Sequence, residues 1–172
     1  MKSLPSLFVM ALCCGSSLSI LPARAASPTP PPCSTAPHRA FDFWLGEWKV
    51  NGAGGKLVGE NSIKLAHNGC VLHEHYTTPA GYSGESLNTY DATRKVWHQT
   101  WVDNTGLLLL LEGGFKDGKM VLEGNGFDPR GQAIKHRISW SPNPDGSVRQ
   151  LWESTDAAGK WSVAFDGLYV KK

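Results

Sequence analysis

Four polar residues, Glu74, Gln99, His136 and Arg149, stand inside runs of otherwise strand-like sequence, and they mark where this chain can do chemistry. Successive side chains of an extended strand point to opposite faces. Cys70, Leu72 and Tyr76 therefore share a face with Glu74, and Ile134, Ile138 and Trp140 share one with His136. Trp97 and Trp101 share a face with Gln99 and Asp103. Arg149, Leu151 and Glu153 alternate together in a later run, where parity alone leaves inside and outside open. A carboxyl group held among apolar side chains is driven toward its neutral form, whereas one that faces Arg149 stays ionised. Either state can orient the polar end of a small molecule. Glu74 or Glu153 within hydrogen-bonding reach of His136 would instead be the acid–base couple of an enzyme. A purely structural polar network is the third reading of the same residues.

Other constellations are weaker. His73 and His75 lie two apart on one strand face, a spacing that presents two imidazoles to a metal, but that face also carries Val71 and Thr77 and no third ligand is near in sequence, so no metal is expected. No phosphate loop, nucleophile elbow or Cys-x-x-Cys occurs. Lys plus Arg number 17 against 15 for Asp plus Glu, so neither nucleic acid nor an anionic membrane surface is an expected partner.

The elements that must position these residues begin after an address segment. Lys2, the apolar run from Leu7 to Leu21 and Ala23-Arg24-Ala25 have the order of a secretory signal peptide over residues 1–25. Its loss removes Lys2 and Arg24 and no acid, which balances the remaining charges. The run is short and broken, so no stable membrane insertion is expected after cleavage. Residues 26–38, with Pro28 to Pro32 and Pro37, have the composition of an extended linker, and the folded domain is expected over 39–172. An exported chain, periplasmic or secreted, retains Cys33 and Cys70, and an oxidising destination predicts a disulfide between them. The alternative is one mobile and one buried thiol.

Beyond residue 39 turn signals recur at short intervals, among them Asn51-Gly52, Lys116-Asp117-Gly118, Asp145-Gly146 and Ala158-Gly159. Between them lie strand-length runs near 47–51, 56–65, 70–78, 83–90, 95–103, 106–113, 119–125, 132–140, 147–155 and 160–170. About ten consecutive strands joined by hairpins form an up-and-down meander, whose edges are hidden by closure into a barrel. The predicted fold is thus all-β, a closed or nearly closed antiparallel barrel. In the last run Trp161, Val163, Phe165 and Tyr169 share a face by parity, the face expected to be buried. Leu107 to Leu111 is apolar on both faces, so its outer face predicts a second cover, with a homodimer seam as one such cover.

At Phe43-Trp44-x-Gly46-x-Trp48 the chain resembles the lipocalin and fatty-acid-binding superfamily of barrels. Together with Asn68-Gly69-Cys70, Trp97-His98-Gln99-x-Trp101-Val102-Asp103, Asp145-Gly146-Ser147-Val148-Arg149-Gln150 and Phe165-Asp166-Gly167-Leu168-Tyr169, it is similar to a bacterial family of uncharacterised, often exported, lipocalin-like domains. The resemblance runs from about Phe41 to the C-terminus. It implies a short N-terminal segment plugging one end of the barrel, with Trp44, Gly46 and Trp48 as structural signature and Trp48 packed across that end. It further implies a late-strand Arg stacked on Trp48, a role that falls to Arg149. Haem-binding barrels of related type use a His near the C-terminal strand, and residues 160–172 contain none, so no cofactor is expected.

The function expected from these observations is the binding of a small apolar or amphipathic molecule in the barrel interior. Trp97, Trp101, Trp140 and Tyr76 would be walls. Glu74, Gln99, His136 and Arg149 would orient the polar end. An enzyme built on Glu, His and Arg, or a protein-interaction module with a filled interior, are the alternatives.

Overall fold

The computed structural model describes residues 30–172, so the expected signal segment and the first linker residues lie outside the described residues. The rest is a closed barrel of ten antiparallel strands in up-and-down order. In chain order these are β1 (Gly46–Asn51), β2 (Leu57–Ala66), β3 (Val71–Thr77), β4 (Ser83–Asp91), β5 (Val96–Asp103), β6 (Leu108–Lys116), β7 (Lys119–Phe127), β8 (Ala133–Pro142), β9 (Val148–Thr155) and β10 (Trp161–Lys171). Each pairs with the next. The ring closes where Trp48 and Val50 of β1 lie opposite Lys171 and Tyr169 of β10.

The turns follow from local chemistry. Lys116 pairs with Lys119 across a two-residue hairpin in which Asp117 and Gly118 both have positive φ (52° and 78°), the conformation whose twist matches the flanking strands. Longer turns reuse one device: Gly131, Gly146 and Gly159 each donate N–H to the carbonyl three residues back, on Asp128, Asn143 and Asp156.

One end of the barrel is filled by the segment before β1. A helical turn at Ala36–Arg39 and a 3-10 turn at Asp42–Trp44 carry Phe41 and Trp44 into the interior, both wholly buried. Phe41 stacks on Trp44 with ring centroids 5.0 Å apart and meets Trp140 at 5.1 Å and Trp97 at 5.6 Å. Offset and edge-on aromatic pairs add about 1 kcal/mol each to the area they bury. Trp48 Nε1 donates to the Trp44 carbonyl at 2.9 Å, which fixes the plug to β1. The packed structure reaches back through the Pro-rich stretch: Trp97 Nε1 donates to the Pro37 carbonyl, and Cys33 and Cys70 form a disulfide, with Cα atoms 5.1 Å apart. The expected disulfide is therefore present, and it ties the plug to the residue immediately before β3.

Two expectations about faces are corrected. The cation over the Trp48 ring is Lys171, its Nζ 4.2 Å from the ring centroid, because β10 closes directly against β1. Arg149 lies on the outer surface, its guanidinium 2.8 Å and 2.6 Å from the two Asp166 carboxylate oxygens. In β10, Val163 pairs with Glu153 and Phe165 with Trp152, so Ala164 is an extra residue that exchanges the faces. Trp161 and Val163 consequently stand outside, with Arg137 4.4 Å above the Trp161 ring, and only Phe165 and Tyr169 of the predicted face turn inward. In β6, Leu109 and Leu111 are buried, while Leu108 and Leu110 remain half exposed on the outer wall beside Val102.

Candidate functional site

The end away from the plug is hollow. A cavity of about 300 Å³ lies between the inner faces of β3, β5, β8, β9 and β10, at the lower limit of volumes that hold a small organic ligand. Its walls are aromatic: Tyr76, Tyr82, Trp101, Trp152 and Phe165, with Leu109 and Ile138 between them. Tyr82 and Thr78, at the β3–β4 turn, reach the rim. Gly84 is what lets the Trp101 indole lie across β4, since a Cβ there would overlap ring atom Cζ2.

Glu74 supplies the polar depth. It is 3% exposed, and alternation along β3 puts it inside between Leu72 and Tyr76. Opposite it across the sheet are Ile63 on β2 and Ser86 on β4. Asn61 Nδ2 donates to Oε1 at 2.7 Å and Ser86 Oγ donates to Oε2 at 2.6 Å. Burial nevertheless dominates those two bonds and pushes the carboxyl up to about 7. Ser86 is held in turn by Asn88 Nδ2 at 2.8 Å, and Gln99 Nε2 donates to Asn88 Oδ1 at 2.8 Å. From β10, the Tyr169 hydroxyl lies 3.4 Å from the same Asn61 Nδ2 and donates to Gln150 Oε1. Burial raises the Tyr169 hydroxyl well above the ordinary phenol value, so it remains a donor.

The donors of the rim are already engaged. Tyr82 Oη donates to Asp103 Oδ2 at 2.8 Å, and Trp101 Nε1 reaches the same oxygen at 3.4 Å. Burial works against the Asp103 charge, but hydrogen bonds from Thr105, Tyr82 and Leu107 outweigh it and hold that carboxyl at about 2. Trp152 Nε1 donates to His136 Nδ1 at 3.2 Å, and burial lowers the His136 imidazole, which favours its neutral form.

Of the residues named from sequence, Glu74, Tyr76, Gln99 and Trp101 come together around the cavity. His136 points inward but lies behind Trp152. Trp97 and Trp140 are inward too, yet both belong to the aromatic packing of the plug and line no part of the cavity, because they sit at the opposite ends of their strands. Arg149 is outside. Sequence reasoning missed Gln150 and Trp152, although Val148, Gln150 and Trp152 form a more apolar alternation than Arg149, Leu151 and Glu153. It placed Phe165 inward but not among the cavity walls, and it missed Ala164, the residue inserted at the bulge.

The acid–base couple of the enzyme reading is not assembled. Glu74 bonds to Asn61 and Ser86, His136 to Trp152, and Glu153 to Arg137 at 2.9 Å on the outer face. His73 pairs with Glu85 at 3.1 Å on the exposed side of β3. Among the described residues no group of three His, Cys, Asp or Glu is placed to hold a metal, and no helix is long and apolar enough to cross a membrane.

Fold and site together define a closed antiparallel β-barrel with one plugged end and one aromatic-walled internal cavity that has a carboxyl group in its depth. Comparison with known proteins finds no matching family model and no matching curated protein.

Proposed function

We propose that this protein binds a small hydrophobic or amphipathic molecule inside its barrel, in the cavity above Glu74. The observation that carries the proposal is the cavity itself. A chain that packs one end with Phe41, Trp44 and Trp140 has the residues to fill the other, and empty apolar space costs stability of about 24 cal/mol per Å³. Leaving space between Tyr76, Trp101, Trp152 and Phe165 is consistent with an occupant. A filled interior, as in a pure interaction module, lacks this feature.

The chain acts outside the cytoplasm in this reading, in the periplasm or beyond it. The signal-like order of residues 1–25 and the Cys33–Cys70 disulfide both support export. The similarity of Phe43 to Trp48 and of the later motifs to exported lipocalin-like domains points the same way.

Native mass spectrometry of protein purified from the periplasm tests the proposal, with thermal shifts across a library of lipids and aromatic compounds. A bound mass or a ligand that raises the midpoint by several degrees supports it. A bare polypeptide mass together with a silent library overturns it.

A further inference from the structure

The inner surface of the cavity is unequal in its hydrogen-bonding character. Trp101 and Tyr82 give their N–H and O–H to Asp103, and Trp152 gives its N–H to His136. Gln99 gives its amide hydrogens to Asn88 and Ser86, which leaves its carbonyl oxygen over. Each Glu74 oxygen receives one bond and can accept another. Asn61 Oδ1, beside the carboxyl, is a buried acceptor with no partner among the described residues. The donors left over are the Gln150 amide and the Tyr76 hydroxyl. Among the described residues no Lys, Arg or His lines the cavity. Aromatic faces surround it, and they attract cations.

We infer that the molecule taken by this cavity carries a protonated amine, held between the Glu74 carboxylate and the aromatic walls, in preference to a carboxylate or an uncharged head group. This rests on the ligand-binding function proposed above and specifies its chemical class. A fatty-acid carboxylate would meet Glu74 with no cation to offset the repulsion, and its acceptors would face acceptors. An ammonium supplies donors to Glu74 and the Gln99 carbonyl, and its charge is balanced inside the barrel. Asp103 at the rim adds a second negative charge along the way in.

The groups around Glu74 make the effect readable by pH. β2 and β4 present Asn61 and Ser86 to it, β5 presents Gln99, and β9 presents Gln150, none of which titrates. Its titratable neighbours are Tyr76 on its own strand and Tyr169 from β10, both raised, with His73 on the outer side of β3. Asp103 is already ionised, and His136, lowered by burial, lies behind Trp152 and is not part of the cavity lining. Between about pH 6 and pH 8 the charge that changes inside the cavity is therefore that of Glu74, while an alkylamine stays protonated.

The test uses three probes of one skeleton, 4-phenylbutylamine, 4-phenylbutan-1-ol and 4-phenylbutyric acid, titrated into the full barrel with its disulfide intact and followed by calorimetry and tryptophan fluorescence. We expect the amine to bind about tenfold more tightly than the alcohol, with the acid weakest, as a charge-assisted hydrogen bond implies. Glu74→Gln should remove that ranking, bringing the affinity for the amine down to about that for the alcohol. Should the variant not fold, the wild type suffices: the amine should gain about tenfold over the alcohol from about pH 6 to pH 8, while the alcohol stays level. Alcohol or acid binding as tightly as the amine overturns the inference and leaves the ligand-binding function standing. Failure of all three to bind overturns the inference, and a silent library as well removes the function beneath it.

Discussion

Glu74 is the residue whose chemistry the fold changes most. Folded, its carboxyl keeps its proton up to about 7, against an ordinary value of 4.5 for an exposed one. Between those values the native state binds more protons than the unfolded state, so this group's contribution to stability falls as pH rises through that window. A shift of that size corresponds to a loss on the order of 3 kcal/mol. His136 has the opposite sign, since burial lowers it and its neutral form favours the native state as pH rises toward its ordinary 6.5. Glu74→Gln separates the two. Urea unfolding should show the variant gaining on the wild type by about 3 kcal/mol from about pH 4.5 to pH 8, and parallel profiles would refute the role given to burial. The buried position of Glu74 was legible from parity, because Leu72 and Tyr76 flank it on one face. Arg149 was not, because its strand carries one aliphatic and two charged residues on the face that turned out to be the exterior.

At the scale of elements, the plug and the glycines of the wall divide the labour. The Cys33–Cys70 bond closes a loop across a sequence separation of 37, which restricts the unfolded chain by about 4 kcal/mol. Cys33→Ser should lower stability by about that amount in chemical denaturation, and reducing agent should do the same to the wild type but nothing to the variant. Gly84 has a narrower role. Gly84→Ala forces the Trp101 ring away from β4, with the Val102 carbonyl also 2.8 Å from the new Cβ. We expect weaker ligand binding, by about tenfold or more, with a smaller change in stability, read by calorimetry and thermal denaturation of the same preparation. The bulge at Ala164 is a comparable device. It swings Phe165 into the cavity while Trp161 stays outside under Arg137, and no alternation rule anticipates an inserted residue.

For the whole molecule, closure is the condition for everything else. The seam consists of the pairs from Trp48 opposite Lys171 to Asn51 opposite Leu168. Deleting residues 169–172 removes most of it, exposes two strand edges and takes away Tyr169, which is buried and holds Gln150. Such a chain should lose its cooperative unfolding transition and scatter light on concentration. A monomeric, cooperatively folding truncation would show that the ring does not depend on the seam. Because each strand pairs with its sequence neighbour except at this last joint, the long-range step of folding is the meeting of β1 with β10.

The sequence by itself determined the all-β meander, the two cysteines available for a bond and the inward position of Glu74, Tyr76, Gln99 and Trp101, while full closure of the ring and the Cys33–Cys70 pairing were expectations that the structure decided. What the sequence determined depends on local turn chemistry, side-chain alternation and the count of cysteines, all of which are readable along one strand at a time. Tertiary structure alone decided which inward residues meet a cavity and which meet the plug, since Trp97 and Trp101 differ only in their height along β5. It also decided which cation covers Trp48 and where the alternation of β10 breaks. Those outcomes depend on the register between distant strands and on how the two barrel ends are filled, and register is a property of pairs of strands rather than of any one of them.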